Sequence, residues 1–236
     1  MLLPVVGLLV TASLSSGRPV PVSWASAPLA APPASVVRRP ATSRAGARVA
    51  TPLPQVDPLW VRRTAAATGI PAPAVLAYGR ATLVLAGSDP GCRLGWTTLA
   101  GIGAVESAHG TVGGRTLGPD GRSSSPVLGP ALDGRGYAAV PATRASARWH
   151  GDPRWDHAVG PLQFISSTWR RWASDGDGDG AADPNDLDDA ALAAGRYLCA
   201  GGQDLTTDRG WTAAVLSYNH ADAYVSAVGA AARSFG

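Results

Sequence analysis

The chain has 236 residues, a formal net charge of +3 and 45% hydrophobic residues, enough for one large folded domain but too unevenly distributed for the whole length to fold. All its cations are arginine, and seven of them lie at or before Arg63 against one acid, Asp57, so the residues that follow sum to −3. A net acidic folded part, with no arginine stripe interleaved with aromatics, no Gly-rich phosphate loop after a strand and no zinc-spaced His or Cys set, excludes the nucleic-acid, nucleotide and zinc-site classes.

Residues 2–14, LLPVVGLLVTASL, form an apolar run shorter than the roughly 20 helical residues a bilayer needs. Residues 1–27 read as a signal peptide with cleavage near Ala27; an apolar terminus is the alternative, because no cation precedes the run. No Cys follows it, so a lipid anchor is unsupported. Residues 28–56, rich in Pro, Ala, Ser, Val and Arg without helical or strand period, read as a linker that cannot offset its own chain entropy. Its basic charge fits adhesion to an anionic envelope and fits a merely solvated linker equally well. The folded domain is expected over 57–236, secreted, with no membrane span.

Asp57 as N-cap and Pro58 at the first helical position open a helix that Gly69 closes. Further helices are expected from Pro73 to about Ala86, Thr97 to His109 with Gly110 as its stop, and Ser167 to Ala173. The last three run from the acidic DLDDA to Leu198, from Trp211 to Ser217, and from Asp222 to about Arg233. No run of alternating β-branched residues appears, so the expected class is all-α. Between Thr111 and His157 the chain is Gly-, Pro- and Ser-rich without period, and a loop that long in a compact domain is expected to wall a groove. The two cysteines, Cys92 and Cys199, form an even count in an exported chain and are expected to pair, two buried thiols being the alternative.

One carboxylate sits among apolar residues. Glu106 lies seven positions after Leu99, about 20° from it on a helical wheel, which puts it inside the stripe that carries Ile102 and Gly103. A Glu facing the protein loses solvation, its pKa rises, and it can donate a proton to a leaving oxygen. On helix geometry alone, a structural Glu paired with a buried Arg is an equal reading.

The stretches GIGAVESAHG, VGPLQFISSTW, YLCAGG and AVLSYNH, in that order and with an acidic loop between the second and third, resemble the motifs of the lytic murein transglycosylase B family, of the lysozyme-like superfamily. The resemblance covers about Pro58 to Ala230. It implies an all-helical lysozyme-like domain acting as a monomer on the glycan strands of peptidoglycan in the cell wall, with Glu106 as the sole catalytic acid. It also implies that Gln163 holds the sugar and that Tyr218, Asn219 and Tyr197 line the cleft. Gln163 as a helix cap and the two tyrosines as core aromatics are the alternatives. The family's Ser upstream of the Gln has no counterpart in RWDHAVGPLQ. The implied reaction protonates the bridging oxygen between N-acetylmuramic acid and N-acetylglucosamine and closes a 1,6-anhydro ring without water. Asp133, Asp152 or Asp156 as a second carboxylate would instead make a lysozyme-type hydrolase. A wall-binding module without catalysis is the third reading, against which Glu106 and Gln163 argue. Trp149, Trp155, Trp169 and Trp172 could stack on sugars, although the last two sit at the helical spacing of core residues.

DGDGDGAADPNDLDD places Asp175, Asp177 and Asp179 at positions 1, 3 and 5 of an EF-hand-like loop, Gly180 at the sharp turn and the Ala181 carbonyl at position 7. The resembling family stretches this loop by about three residues, which implies Asp189 as the closing ligand, with Asp186 or Asp183 in reserve. The expected ion is a structural calcium; a solvated acidic turn is the alternative.

Overall fold

The structure, a computed structural model, describes residues 53–135 and 138–236; the expected signal peptide and most of the expected linker lie outside them. The chain is already packed at Val56, one residue ahead of the expected boundary, with 5% of its surface exposed. Among the described residues, eight helices carry the domain: α1 Pro58–Thr68, α2 Ala72–Ser88, α3 Trp96–Ser107, α4 Ala147–His150, α5 Ser166–Trp172, α6 Leu187–Cys199, α7 Asp208–Tyr218 and α8 Asp222–Ser234. None of the described helices is long and apolar enough to cross a membrane.

Local chemistry sets most helix ends. The Asp57 carboxylate accepts the Leu59 N–H at 2.8 Å and Pro58 takes the first turn of α1, while Gly69 at φ +73° stops it. Asp186 and Thr207 cap α6 and α7 in the same way. Helix α3 has no side-chain cap and is held by packing instead: ten of its twelve residues are buried. It lies between α2 and α8 and also touches α6. Glycine permits the approach to α8, since a Cβ at Gly101 would come within 2.7 Å of the Val228 carbonyl oxygen.

The all-α expectation requires a correction. Strand β1 Leu128–Ala131 pairs antiparallel with β2 His157–Val159, with Leu128 opposite Val159 and Ala131 opposite His157 across an irregular register. Single bridges such as Leu117 with Ser123 and Pro141 with Trp155 tie down much of the segment expected to be a periodless loop. These pairings are too short, and too rich in Gly and Pro, to leave a two-residue alternation in the sequence. Helix α3 also ends earlier than expected. Ala108 and His109 take left-handed φ of +50° and +59°, with their N–H groups on the carbonyls of Ala104 and Gly103.

Cys92, before α3, and Cys199, at the end of α6, form a disulfide with a Cα–Cα distance of 5.4 Å. The Cys92 carbonyl also accepts the Leu205 N–H, so the bridge draws together the approaches to α3, α6 and α7.

Candidate active site

Glu106 occupies the last turn of α3 with 2% of its surface exposed. Its Oε1 accepts the Tyr224 hydroxyl of α8 at 2.6 Å, and its Oε2 has no hydrogen-bond partner. None of the ion pairs among the described residues includes Glu106. Burial therefore pushes the Glu106 carboxyl up to about 8, against the smaller opposing effect of the Tyr224 bond. A neutral carboxyl accepts a hydrogen bond at its carbonyl oxygen. With Tyr224 on Oε1, the acidic proton belongs on Oε2, the oxygen with no partner.

The turn after Glu106 is anchored on both sides. His109 Nδ1 meets the Tyr78 hydroxyl at 3.1 Å, and burial lowers this imidazole to about 4, so it stays neutral. Ser107 donates its hydroxyl to the Pro161 carbonyl at 2.6 Å and accepts the Gly110 N–H. The end of α3 is thus fastened to the turn that carries Gln163.

Gln163 is 1% exposed and sits at φ +52°, a left-handed backbone unusual for a non-glycine residue. Its Nε2 donates to the Gly160 carbonyl at 2.9 Å, and its Oε1 lies against Gly129 of β1. The side chain does not cap α5, whose N-cap residue is Ile165. Tyr218 is fully buried and donates to the Leu162 carbonyl at 2.8 Å, so it holds the same turn from the α7 side. Tyr197 donates to the Ser217 carbonyl, and Asn219 is the half-buried C-cap of α7.

Aromatic rings connect these residues. Trp172 lies 5.7 Å from Tyr197, Tyr197 5.6 Å from Tyr218, and Tyr218 is stacked at 6.4 Å on Tyr224, the donor to Glu106. Trp169 is a core residue set edge-on to Phe164, Trp149 packs half-buried on the core, and Trp155 is half-buried in its bridge with Pro141. Sequence reasoning passed over Tyr224. Its place on one face of α8 with Val225, Val228 and Ala232 signals burial, but nothing local to α8 identifies Glu106 as its partner.

The three candidate second carboxylates are engaged elsewhere. Asp156 is fully buried, with Oδ2 accepting the Ser166 hydroxyl at 2.6 Å and Oδ1 facing His150 Nε2 at 3.2 Å. Asp152 accepts the Arg154 and Trp155 N–H groups, which lower its pKa, and faces His157. Asp133 accepts the Arg135 N–H in a tight turn.

In the acidic loop, one carboxylate oxygen each from Asp175, Asp177 and Asp189 lies within 4.8 Å of the others. That spacing suits one hard cation with oxygen ligands. Asp189 is 2% exposed, and burial raises it to about 7, with Asp186 and Asp177 adding repulsion. Its oxygens accept the Gly176 and Asp183 N–H groups at 2.6 and 2.8 Å. Asp179 is outside the group and accepts the Ala181 N–H, and Ala181 is exposed. Both reserve ligands are committed to other work: Asp183 pairs with Arg122 at 2.6 Å, and Asp186 caps α6.

Residues 146–215 match the family model described as the transglycosylase SLT domain. The match contains Gln163, the acidic loop and Tyr197; Glu106 lies before it, and Tyr218 and Tyr224 after it. No curated protein and no solved structure matches the chain significantly.

Proposed function

We propose that this SLT-like domain is a lytic transglycosylase of the murein transglycosylase B type, acting outside the cytoplasm on peptidoglycan with Glu106 as its single acid. The observation that carries the reading is the Glu106 carboxyl itself: buried, neutral near pH 7, fixed through one oxygen by Tyr224 and unpartnered at the other. The first step puts the Oε2 proton on the oxygen bridging N-acetylmuramic acid to N-acetylglucosamine, and that bond breaks. The muramyl N-acetyl group stabilises the cationic carbon. The Glu106 carboxylate left behind then takes the proton of the muramyl 6-hydroxyl, whose oxygen closes the 1,6-anhydro ring. Intramolecular attack needs no second carboxylate, because a held hydroxyl has an effective concentration far above that of an external nucleophile. The commitments of Asp133, Asp152 and Asp156 support this route over lysozyme-type hydrolysis. With Glu106 2% exposed, a glycan reaches it only when the side chains covering it shift.

Gln163, Tyr197, Tyr218 and Asn219 are proposed to shape the sugar site. The buried Gln163 and Tyr218 act by holding the turn over residues 160–163 against the end of α3. The acidic loop is proposed to hold calcium through Asp175, Asp177 and Asp189, a set that fits because each supplies an oxygen within reach of one ion. Bound there, the ion contributes charge neutralisation to the fold and no chemistry to the cleavage.

Mass spectrometry of muropeptides released by the purified protein tests the reading. Products lighter by one water than their hydrolytic counterparts are expected. Reducing ends alone would overturn the transglycosylase mechanism, and the absence of any release would overturn the enzyme.

A further inference from the structure

Two histidines lie against each other beside β1, and their hydrogen bonds assign their protons. The ring centroids of His150 in α4 and His157 in β2 are 4.8 Å apart. The His150 side chain is buried, and its Nδ1 receives the Asp152 N–H at 3.1 Å. Its proton therefore sits on Nε2, which faces Asp156 Oδ1 at 3.2 Å. Burial, and after it the neighbouring His157, lower the His150 pKa, so this ring stays neutral near pH 7. His157 is placed differently. Its Nδ1 lies 2.8 Å from the Gly129 carbonyl oxygen of β1, which only accepts, so Nδ1 carries a proton. Its Nε2 lies 3.4 Å from Asp152 Oδ2. The Arg154 and Trp155 N–H groups hold that carboxylate ionised. It accepts as well, and a neutral His157 would set two acceptors against each other. Only the imidazolium makes both contacts. The other charges of the segment, Arg148 and Arg154, are exposed, and β1 contributes no titratable residue.

Gly129 is where these contacts meet the sugar site. A Cβ there would come within 2.8 Å of Gln163 Oε1, so the backbone that His157 grips is the surface on which the Gln163 amide rests. We propose that His157 is a positioning residue for the Gln163 site: as an imidazolium it clamps the Gly129 backbone of β1 to Asp152, and loss of one proton releases the clamp at one end. Its consequence for glycan rests on the reading of the chain as a peptidoglycan lytic transglycosylase. An imidazole changes charge between about pH 5 and 8. Glycan is therefore held more tightly at the acidic end of that range and less tightly at the alkaline end. Glu106 governs the chemical step, and His157 touches no reacting atom.

Binding titrations on the full chain carrying Glu106→Gln isolate the effect, because that chain neither cleaves its ligand nor titrates at position 106. The probe is a peptidoglycan glycan oligomer stripped of its peptides by an amidase. Its Kd is expected to rise about tenfold between about pH 5.5 and 8, a loss of about 1.4 kcal/mol. His157→Gln, added to that chain, gains no proton and is expected to bind weakly across the range. Asp152→Asn is expected to bind tightly at both ends. Its amide keeps an oxygen for the Arg154 and Trp155 N–H groups and donates from Nδ2 to a neutral His157. A merely structural role for the pair would not produce that gain at the alkaline end, and Asp152→Asn keeps the test decisive if His157→Gln misfolds. Without ligand, imidazole nitrogen resonances are expected to show His157 protonated at both nitrogens near about pH 6, with the Gln163 side-chain amide signals moving as it titrates. A His157 with one proton there, Gln163 signals that ignore the titration, or an Asp152→Asn affinity that still falls at the alkaline end overturns the clamp. Ring and amide signals that behave as expected in a protein that neither binds nor cleaves glycan would uphold the clamp and sink the enzyme reading.

Discussion

A carboxyl kept neutral by burial holds a proton in the folded protein that the unfolded chain releases above its ordinary pKa. For Glu106 those values are about 8 and 4.5. Its contribution to stability is complete below pH 4.5 and is lost as pH rises through the window up to about 8. The glutamine of Glu106→Gln has no proton to lose. Thermal melts of parent and variant are therefore expected to coincide near pH 4, and the variant to be more stable at pH 8, by up to on the order of 5 kcal/mol. The same variant is expected to lose essentially all muropeptide release. Near-parental release would sink the assignment of Glu106. Tyr224→Phe separates positioning from packing: the Tyr224 bond holds the Glu106 pKa down, so without it the alkaline limb of the rate profile is expected to move up. A loss of about tenfold in kcat should accompany the shift, the worth of one ordinary hydrogen bond. An unmoved limb would reduce Tyr224 to a packing residue.

At the scale of elements, two glycines make opposite predictions. Gly101 of α3 faces the Val228 carbonyl of α8, whereas a Cβ at Gly87 of α2 would meet nothing within 4 Å. Gly101→Ala is expected to destabilise the domain by about 1–3 kcal/mol by forcing α8 away, and activity should fall as Tyr224 moves with it. Gly87→Ala is expected to stabilise it by about 0.5–1 kcal/mol through helix propensity alone. Denaturant titration reads both, and equal effects would mean that α3 and α8 are not in close approach. The acidic loop joins α5 to α6, and there calcium is expected to raise the melting temperature and chelation to lower it. Asp189→Asn should abolish the calcium effect and Asp179→Ala leave most of it, because only the first belongs to the triad whose oxygens lie close enough together for the proposed ion. A melting temperature indifferent to millimolar calcium would leave the loop as an acidic cap on α6.

For the whole molecule, the disulfide spans 107 residues and encloses α3, the two-stranded sheet, the acidic loop and α6. In the chain-entropy account a loop of that length stabilises the fold by about 5 kcal/mol. Replacing both cysteines with serine should lower the stability read by denaturant titration by about that amount. If the variant retains its full stability, the native packing is not relying on the bridge. The bridge ties the approach to α3 to the end of α6, so activity should fall at temperatures where the melt has not begun.

The sequence by itself determined the features that act over a few residues. Asp57, Pro58 and Gly69 mark the ends of α1 because capping is local chemistry. The spacing of the aspartates in the acidic loop makes a cation the expectation there, and an even cysteine count implies the one bridge that forms. The wheel placed Glu106 among apolar residues, but α3 is buried on nearly every side, so the stripe alone overstated how selective that position is. Tertiary structure decided everything that depends on partners far apart in the chain. Tyr224 reaches Glu106 across 118 positions, and Arg122 engages Asp183 across 61. The second pairing, with the capping role of Asp186, leaves Asp189 to join Asp175 and Asp177. The short strands and the left-handed Gln163 arise in the same way, from backbone pairings and burial that leave no local period in the residues forming them.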